Sequence, residues 1–192
     1  MTKAMPSPTS RASVRRLFGF WRDRRGVAAI EFAVVVPILA LIMVAMVDFG
    51  LVLFVRFGLN QNVSASANYA IVGATSASST GGATLASNLV AIVPTNVNMT
   101  VVVNNGPTVT RTSGSSVASG TASNADSCYC PTVSGTTVTW GSAVACGGSC
   151  GSNLLAGKFV SIRASVSHSP LFGSYGLVQN GAVSTFSIVQ VQ

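Results

Sequence analysis

The sequence predicts an α+β protein: a long N-terminal transmembrane helix and a small exported, mainly β domain stapled by disulfides. Three observations carry this expectation. Residues Val27 to Val55 form one apolar run holding only two charges, Glu31 and Asp48. Past about residue 75 the chain breaks into short alternating segments set off by Gly, Ser, Asn and Pro, the pattern of strands and turns. All four cysteines, Cys128, Cys130, Cys146 and Cys150, fall in that second part.

The apolar run comes first. As a helix rising about 1.5 Å per residue it is roughly 44 Å long, against a hydrocarbon core of about 30 Å. It can cross a bilayer with a surplus that tilts or projects. A soluble helix of this length would carry a polar face. A secretory signal would have an apolar stretch of only about 7–15 residues, with a small-x-small cut directly after it. Here the nearest such triplet, Ala65-Ser66-Ala67, lies beyond Arg56.

Charge sets the orientation. Seven of the 11 basic residues precede Gly26 (Lys3, Arg11, Arg15, Arg16, Arg22, Arg24 and Arg25), and only Asp23 opposes them. The positive-inside bias therefore predicts a cytoplasmic N-terminus and an exported remainder. The net charge of +7 belongs to this leader: without residues 1–26, four basic and three acidic residues leave 4 − 3 = +1. No basic stripe accompanies the exported part, which argues against a nucleic-acid partner. Attraction of the leader to anionic membrane lipid is the simpler account. Phe18, Phe20 and Trp21, set among arginines, suit a short interfacial segment in a leader otherwise too polar to bury a core.

Glu31 is costly inside an apolar helix and so marks a functional position. Its setting, Arg25-Gly26-Val27-Ala28-Ala29-Ile30-Glu31-Phe32, resembles the type IV prepilin signal: a basic leader, a Gly, four residues, a Glu, then an aromatic and an apolar helix. In that family a membrane aspartyl prepilin peptidase cuts after the Gly. The resemblance implies a cut between Gly26 and Val27, with Glu31 as the fifth mature residue. The chemistry agrees with it. Gly26 lets the backbone extend into a protease cleft. The new amine of Val27 would lie one turn from Glu31, where a negative charge also suits the helix dipole. The carboxylate could pair with its own amine or a neighbouring subunit's. A plainer use is placement in the headgroup layer near Arg24 and Arg25.

The wider run, Glu31-Phe32-Ala33, Pro37 and Asp48-Phe49-Gly50, is similar to the TadE-like family of the tight-adherence (Flp) pilus system, over about Arg24 to Ala74. Phe32 stands where Flp-type signals often carry Tyr. The resemblance implies a non-catalytic minor pseudopilin, larger than the major pilin, in the bacterial inner membrane with a periplasmic or extracytoplasmic domain. It implies as partners a prepilin peptidase, other pilin or pseudopilin subunits, the pilus assembly platform and membrane lipid. Pro37 is tolerated in a membrane helix and is the expected kink. Ala28, Ala29 and Ala33 would let a second helix approach. Asp48 falls near the outer interface, where its cost is modest, and carries no assigned chemistry.

Beyond Arg56 the helical pattern continues. Leu59, Val63, Ala67, Ala70, Ile71 and Ala74 recur at spacings of three and four, with Asn60, Gln61, Asn62, Ser64, Ser66 and Asn68 on the other side. One helix from about Val27 to Ala74 is expected, its outer half amphipathic, in a pilin-like arrangement. The organisation is thus a basic cytoplasmic leader at 1–26, a long helix at 27–75 that spans lipid to about 55, and an exported α+β domain at 76–192 with a Cys-rich loop. In the last part, Ser76 to Gly82 breaks the helix, Leu85 to Val93 is a short helix stopped by Pro94, and Val97 to Val103 alternates as a strand. Asn104-Asn105-Gly106 signals a turn into a return strand at Thr108 to Thr112. Arg111 to Asp126 reads as a loop. Val133 to Trp140, Phe159 to Ser167 and Val183 to Val191 are further strands, with a connector at His168 to Gly173.

Four cysteines in a small exported domain favour two disulfides among three possible pairings. Cys128 and Cys130 would share one face of a strand, so links from that pair to Cys146 and Cys150 are preferred. TadE-like proteins often show such a Cys-rich stretch before the final strands, which adds to the resemblance. Zinc is the alternative, but C-x-C…C-x3-C is not its usual spacing and export disfavours free thiolates. No C-x-x-C motif marks a redox enzyme. Gly147-Gly148-Ser149-Cys150-Gly151 matches a nucleophile motif as text, yet no acid follows Ser149. His168, the single histidine, reads as a surface connector. Asn62-Val63-Ser64 and Asn98-Met99-Thr100 are glycosylation sequons by pattern only. No catalytic residue, metal, cofactor or small-molecule substrate is expected. The alternative to a pseudopilin is an uncleaved single-pass membrane protein whose exported domain binds partners.

Overall fold

The computed structural model describes residues 26–151 and 154–192. The leader, with its basic cluster and Phe18, Phe20 and Trp21, lies outside the described residues. Helix α1 (Val27–Val72) carries the apolar run and continues past Arg56, as the unbroken periodicity predicts. The chain divides into two compact units, Met1–Met46 and Val47–Gln192.

The first unit's described part is helix throughout from Val27, with its apolar side chains exposed on every side. Ile30, Phe32, Leu41 and Met46 are each at least 60% exposed. A helix apolar all round has no water-facing side, so it needs lipid or another apolar partner.

In the second unit, α1 buries one stripe: Asp48, Val52, Leu59, Val63, Ser66, Ala67 and Ala70. Leu59, Val63, Ala67 and Ala70 lie inward as their spacing requires. Ile71 does not: it is half exposed, because α1 ends at Val72 before another turn can cover it. Ser66, expected on the polar side, is fully buried, and its hydroxyl donates to the Leu89 carbonyl at 3.4 Å. The stripe also starts earlier than predicted, at Asp48 and Val52.

Helix α2 (Gly82–Ile92) follows a 3-10 turn at Ala74–Ser76 and ends one residue before Val93-Pro94. Beyond it lie β1 (Asn98–Val103), β2 (Thr108–Thr112), β3 (Ser115–Ser119), β4 (Thr132–Ser134), β5 (Thr137–Thr139), β6 (Phe159–Ser167), β7 (Val178–Gln179) and β8 (Ala182–Gln190). Six of them form an antiparallel sheet in the order β3-β2-β1-β6-β8-β7, and β4 and β5 pair as a separate hairpin. β1 alternates, burying Met99, Val101 and Val103. Those residues join Val160 and Ile162 of β6, Leu85 and Leu89 of α2, and Leu59 and Val63 of α1 in one core.

Three connections differ from the sequence reading. Arg111 to Asp126 is not a loop: it completes β2, then forms β3 and a 3-10 turn at Ala122–Asp126. β3 is exposed along its whole length, so no buried face imposes alternation on its Ser and Ala residues; register with β2 makes it a strand. Val133 to Trp140 is two strands rather than one, folded back at Gly135, whose φ of 60° suits glycine. β7 was missing from the sequence reading, although Asn180-Gly181, with φ values of 51° and 72°, is a strong hairpin signal.

Candidate functional site

Two acids, Glu31 and Asp48, interrupt the apolar run of α1. Glu31 lies one turn into the helix, on the same face as Val27 and exposed. Gly26 immediately precedes the helix and is also exposed. A Cβ built on Gly26 meets nothing within 4 Å among the described residues. The folded chain described here therefore does not itself demand glycine at that position. Phe32 projects from the next position and is 70% exposed, and Pro37 sits inside α1.

Asp48 belongs to the second unit and is buried. Its two carboxylate oxygens accept the Leu171 N–H at 3.1 Å each, and one of them also accepts the Phe172 N–H at 3.2 Å and the Tyr175 hydroxyl at 2.9 Å. Phe49 beside it meets the Tyr175 ring edge-on, centroids 5.2 Å apart. The loop closes on the carboxylate through unusual backbone angles: Gly176 has φ 69° and Tyr175 has φ 48°, the left-handed region a Tyr adopts at a cost of order 1 kcal/mol. Partial desolvation and the neighbouring Asp48 carboxylate push the Tyr175 phenol above its ordinary range, so it stays a donor. A residue left without chemistry by the sequence reading is thus the clasp of the connector. What sequence alone offered was the bare presence of an acid in an apolar helix; its partners lie over 120 positions away.

Further tethers bind the second unit. The fully buried Asn104 donates through Nδ2 to the Ala125 and Ser127 carbonyls and accepts the Phe159 N–H. Arg111 takes an inward strand position, yet its guanidinium donates to the Val90, Pro94 and Val97 carbonyls at 2.8, 2.8 and 3.2 Å. Asp126 accepts the Ser79 N–H at 2.8 Å, and Lys158 donates to the Ala77 carbonyl, fastening the α1–α2 junction.

The cysteines pair as Cys128–Cys146 and Cys130–Cys150. With all four bonded to one another, no thiolate remains for zinc. Ser149 makes an isolated bridge with Leu155 inside this linked segment, not the strand–turn–helix elbow of a nucleophile. His168 ends the β6 extension; its N–H donates to the Gly181 carbonyl, while its Nε2 is buried without a partner among the described residues.

Glu31 and Asp48 themselves lie on one segment of α1, and that segment matches a family model. Residues 26–68 match the model of the TadE-like protein family. The TadE-like match runs from Gly26 through most of α1, so both acids fall inside it. No curated protein and no solved structure matches the chain. The match covers 43 of the 192 residues, and the exposed apolar helix within it is long and apolar enough to cross a membrane, which suggests an anchor.

Proposed function

We propose that this chain is a minor pseudopilin that acts in assembly of a tight-adherence pilus. The single observation that supports this best is the TadE-like match over residues 26–68, which begins at Gly26 and includes Glu31. Residues 1–26 serve as the basic cytoplasmic leader, and a prepilin peptidase cuts between Gly26 and Val27. α1 then stands in the bacterial inner membrane with the C-terminal domain outside the cytoplasm.

Glu31 acts in registry. Lipid does not solvate a carboxylate, so Glu31 gains by meeting a positive charge, and the Val27 amine of a neighbouring subunit is the available one. Assembly into a bundle of similar helices would satisfy both groups together. The domain contributes no reaction; it presents a disulfide-linked surface to other subunits and to the assembly platform.

Replacing Glu31 by Ala tests this role. The expected outcome is normal processing and normal amounts in the membrane, with pili reduced by about tenfold or more, the scale of a lost buried charge pair. Unchanged piliation would remove Glu31 from assembly.

A further inference from the structure

The loop held by Asp48 has its apolar side chains turned outward. Leu171 is 78% exposed and Phe172 is 51% exposed, although the amides of both residues are fixed to the carboxylate. On α1 nearby in sequence, Phe54 and Phe57 are 77% and 61% exposed. Arg56 is the single charge on α1 after Asp48. These are exposed apolar side chains in the second unit, which elsewhere also exposes Val117, Leu154 and Leu155.

Its position along the chain names the occupant. About 20 helical residues rise roughly 30 Å, enough to cross the hydrocarbon core. Counted from Val27, that crossing is complete by Val47, one residue before the clasped acid. We infer that the loop Ser169–Gly176 rests on the outer lipid surface, with Leu171 and Phe172 inserted among the headgroups and upper acyl chains. The inference depends on α1 being in lipid, as proposed above. It shortens the lipid span from the boundary near 55 that the apolar run alone predicts to one at about Asp48.

Physical sense follows for each part. An acid at the exit from the hydrocarbon core is tolerable if its oxygens are occupied, and the loop amides and Tyr175 occupy them. Phe and Leu side chains gain by entering the interface, while Arg56 can bury its stem and keep its charge at the headgroups. The loop would set the height of the domain above the membrane through Asp48, so extraction of α1 would have to lift this contact as well.

Lipid-borne quenching tests it on the full chain in vesicles of phosphatidylethanolamine and phosphatidylglycerol. With Trp21 and Trp140 replaced by Phe, single reporters are placed by Phe172→Trp, Leu171→Trp, Val36→Trp and Val117→Trp. Brominating the upper acyl chains should cut the emission of the two loop reporters by about half or more, as for a side chain seated at the interface. Val36→Trp, at mid-span, should be quenched by lipid brominated on the lower acyl chains, and Val117→Trp, on exposed β3, by neither lipid. Quenching of Val36→Trp with neither loop reporter affected would overturn the loop contact and leave the anchor standing. A silent Val36→Trp would overturn the anchor itself and the loop contact with it. Equal quenching of Val117→Trp and the loop reporters would overturn the contact by showing that it is not specific to the loop.

Discussion

Asp48 shows how one side chain changes the meaning of an element. In the sequence it is a charge interrupting an apolar run; in the structure it organises a loop far along the chain. Its carboxylate supplies four acceptor contacts, and only an acid or a close isostere fits that set. Asp48→Ala should leave the core folded while the amides of Leu171 and Phe172 exchange with solvent about tenfold faster or more, by loss of charge-assisted hydrogen bonds. Hydrogen exchange resolved to residues 169–176 checks this; unchanged protection would show that the loop holds itself. Asp126 carries a pH dependence of known sign. The Ser79 hydroxyl, then its N–H, and the positive charge of Lys158 hold the Asp126 carboxyl below the ordinary carboxylate range, against a smaller desolvation cost. As pH falls, the unfolded chain therefore takes up this proton first. The stability Asp126 contributes is complete above its unfolded value, near pH 4, and is lost as pH falls through the lower folded value. Asp126→Asn should flatten the acid limb of the stability profile below about pH 4, measured by thermal unfolding across pH.

At the scale of elements, the outer part of the long helix, α2 and the strands β1 and β2 were legible because a buried face imposes a period on each. Met99, Val101 and Val103 alternate inward, and Leu59, Val63, Ala67 and Ala70 recur at helical spacing. Where no face is buried the signal disappears, as in β3. Where a polar residue faces inward the pattern misleads. Arg111 occupies a place the alternation reserves for an apolar side chain, and instead it binds the Val90 carbonyl in the last turn of α2 and the Pro94 and Val97 carbonyls just beyond it. Carbonyls in the last turn of a helix lack intrahelical partners and carry partial negative charge, so a guanidinium with several donors suits them. Arg111→Ala should cost about 2–4 kcal/mol of stability by removing three buried charge-assisted hydrogen bonds and leaving a void. Arg111→Lys, a point charge in place of a fork, should recover only part of that loss. Denaturant unfolding under oxidising conditions measures both. A neutral Arg111→Ala would mean that water replaces the guanidinium without penalty. The acids of α1 divide in the same way: Glu31 stands out against an apolar background and its role remains a proposal, whereas the Asp48 clasp depends on pairing across more than 120 positions.

For the whole molecule, the two ends of α1 have opposite needs. From Val27 to Met46 the helix has no polar face and its large apolar side chains are exposed among the described residues, which suits it to lipid. From Asp48 onward it is the central rod of a folded α+β unit. That unit is closed by two disulfides, which restrict its unfolded ensemble. The proposal that this helix is trimmed and then stacked beside similar helices makes one demand that nothing else in the fold makes: a free amine on Val27. Intact-mass analysis of the chain extracted from membranes of its native host measures that directly. The account predicts a mature protein that starts at Val27 and lacks residues 1–26. A chain that retains Met1 to Gly26 while pili assemble normally would contradict it.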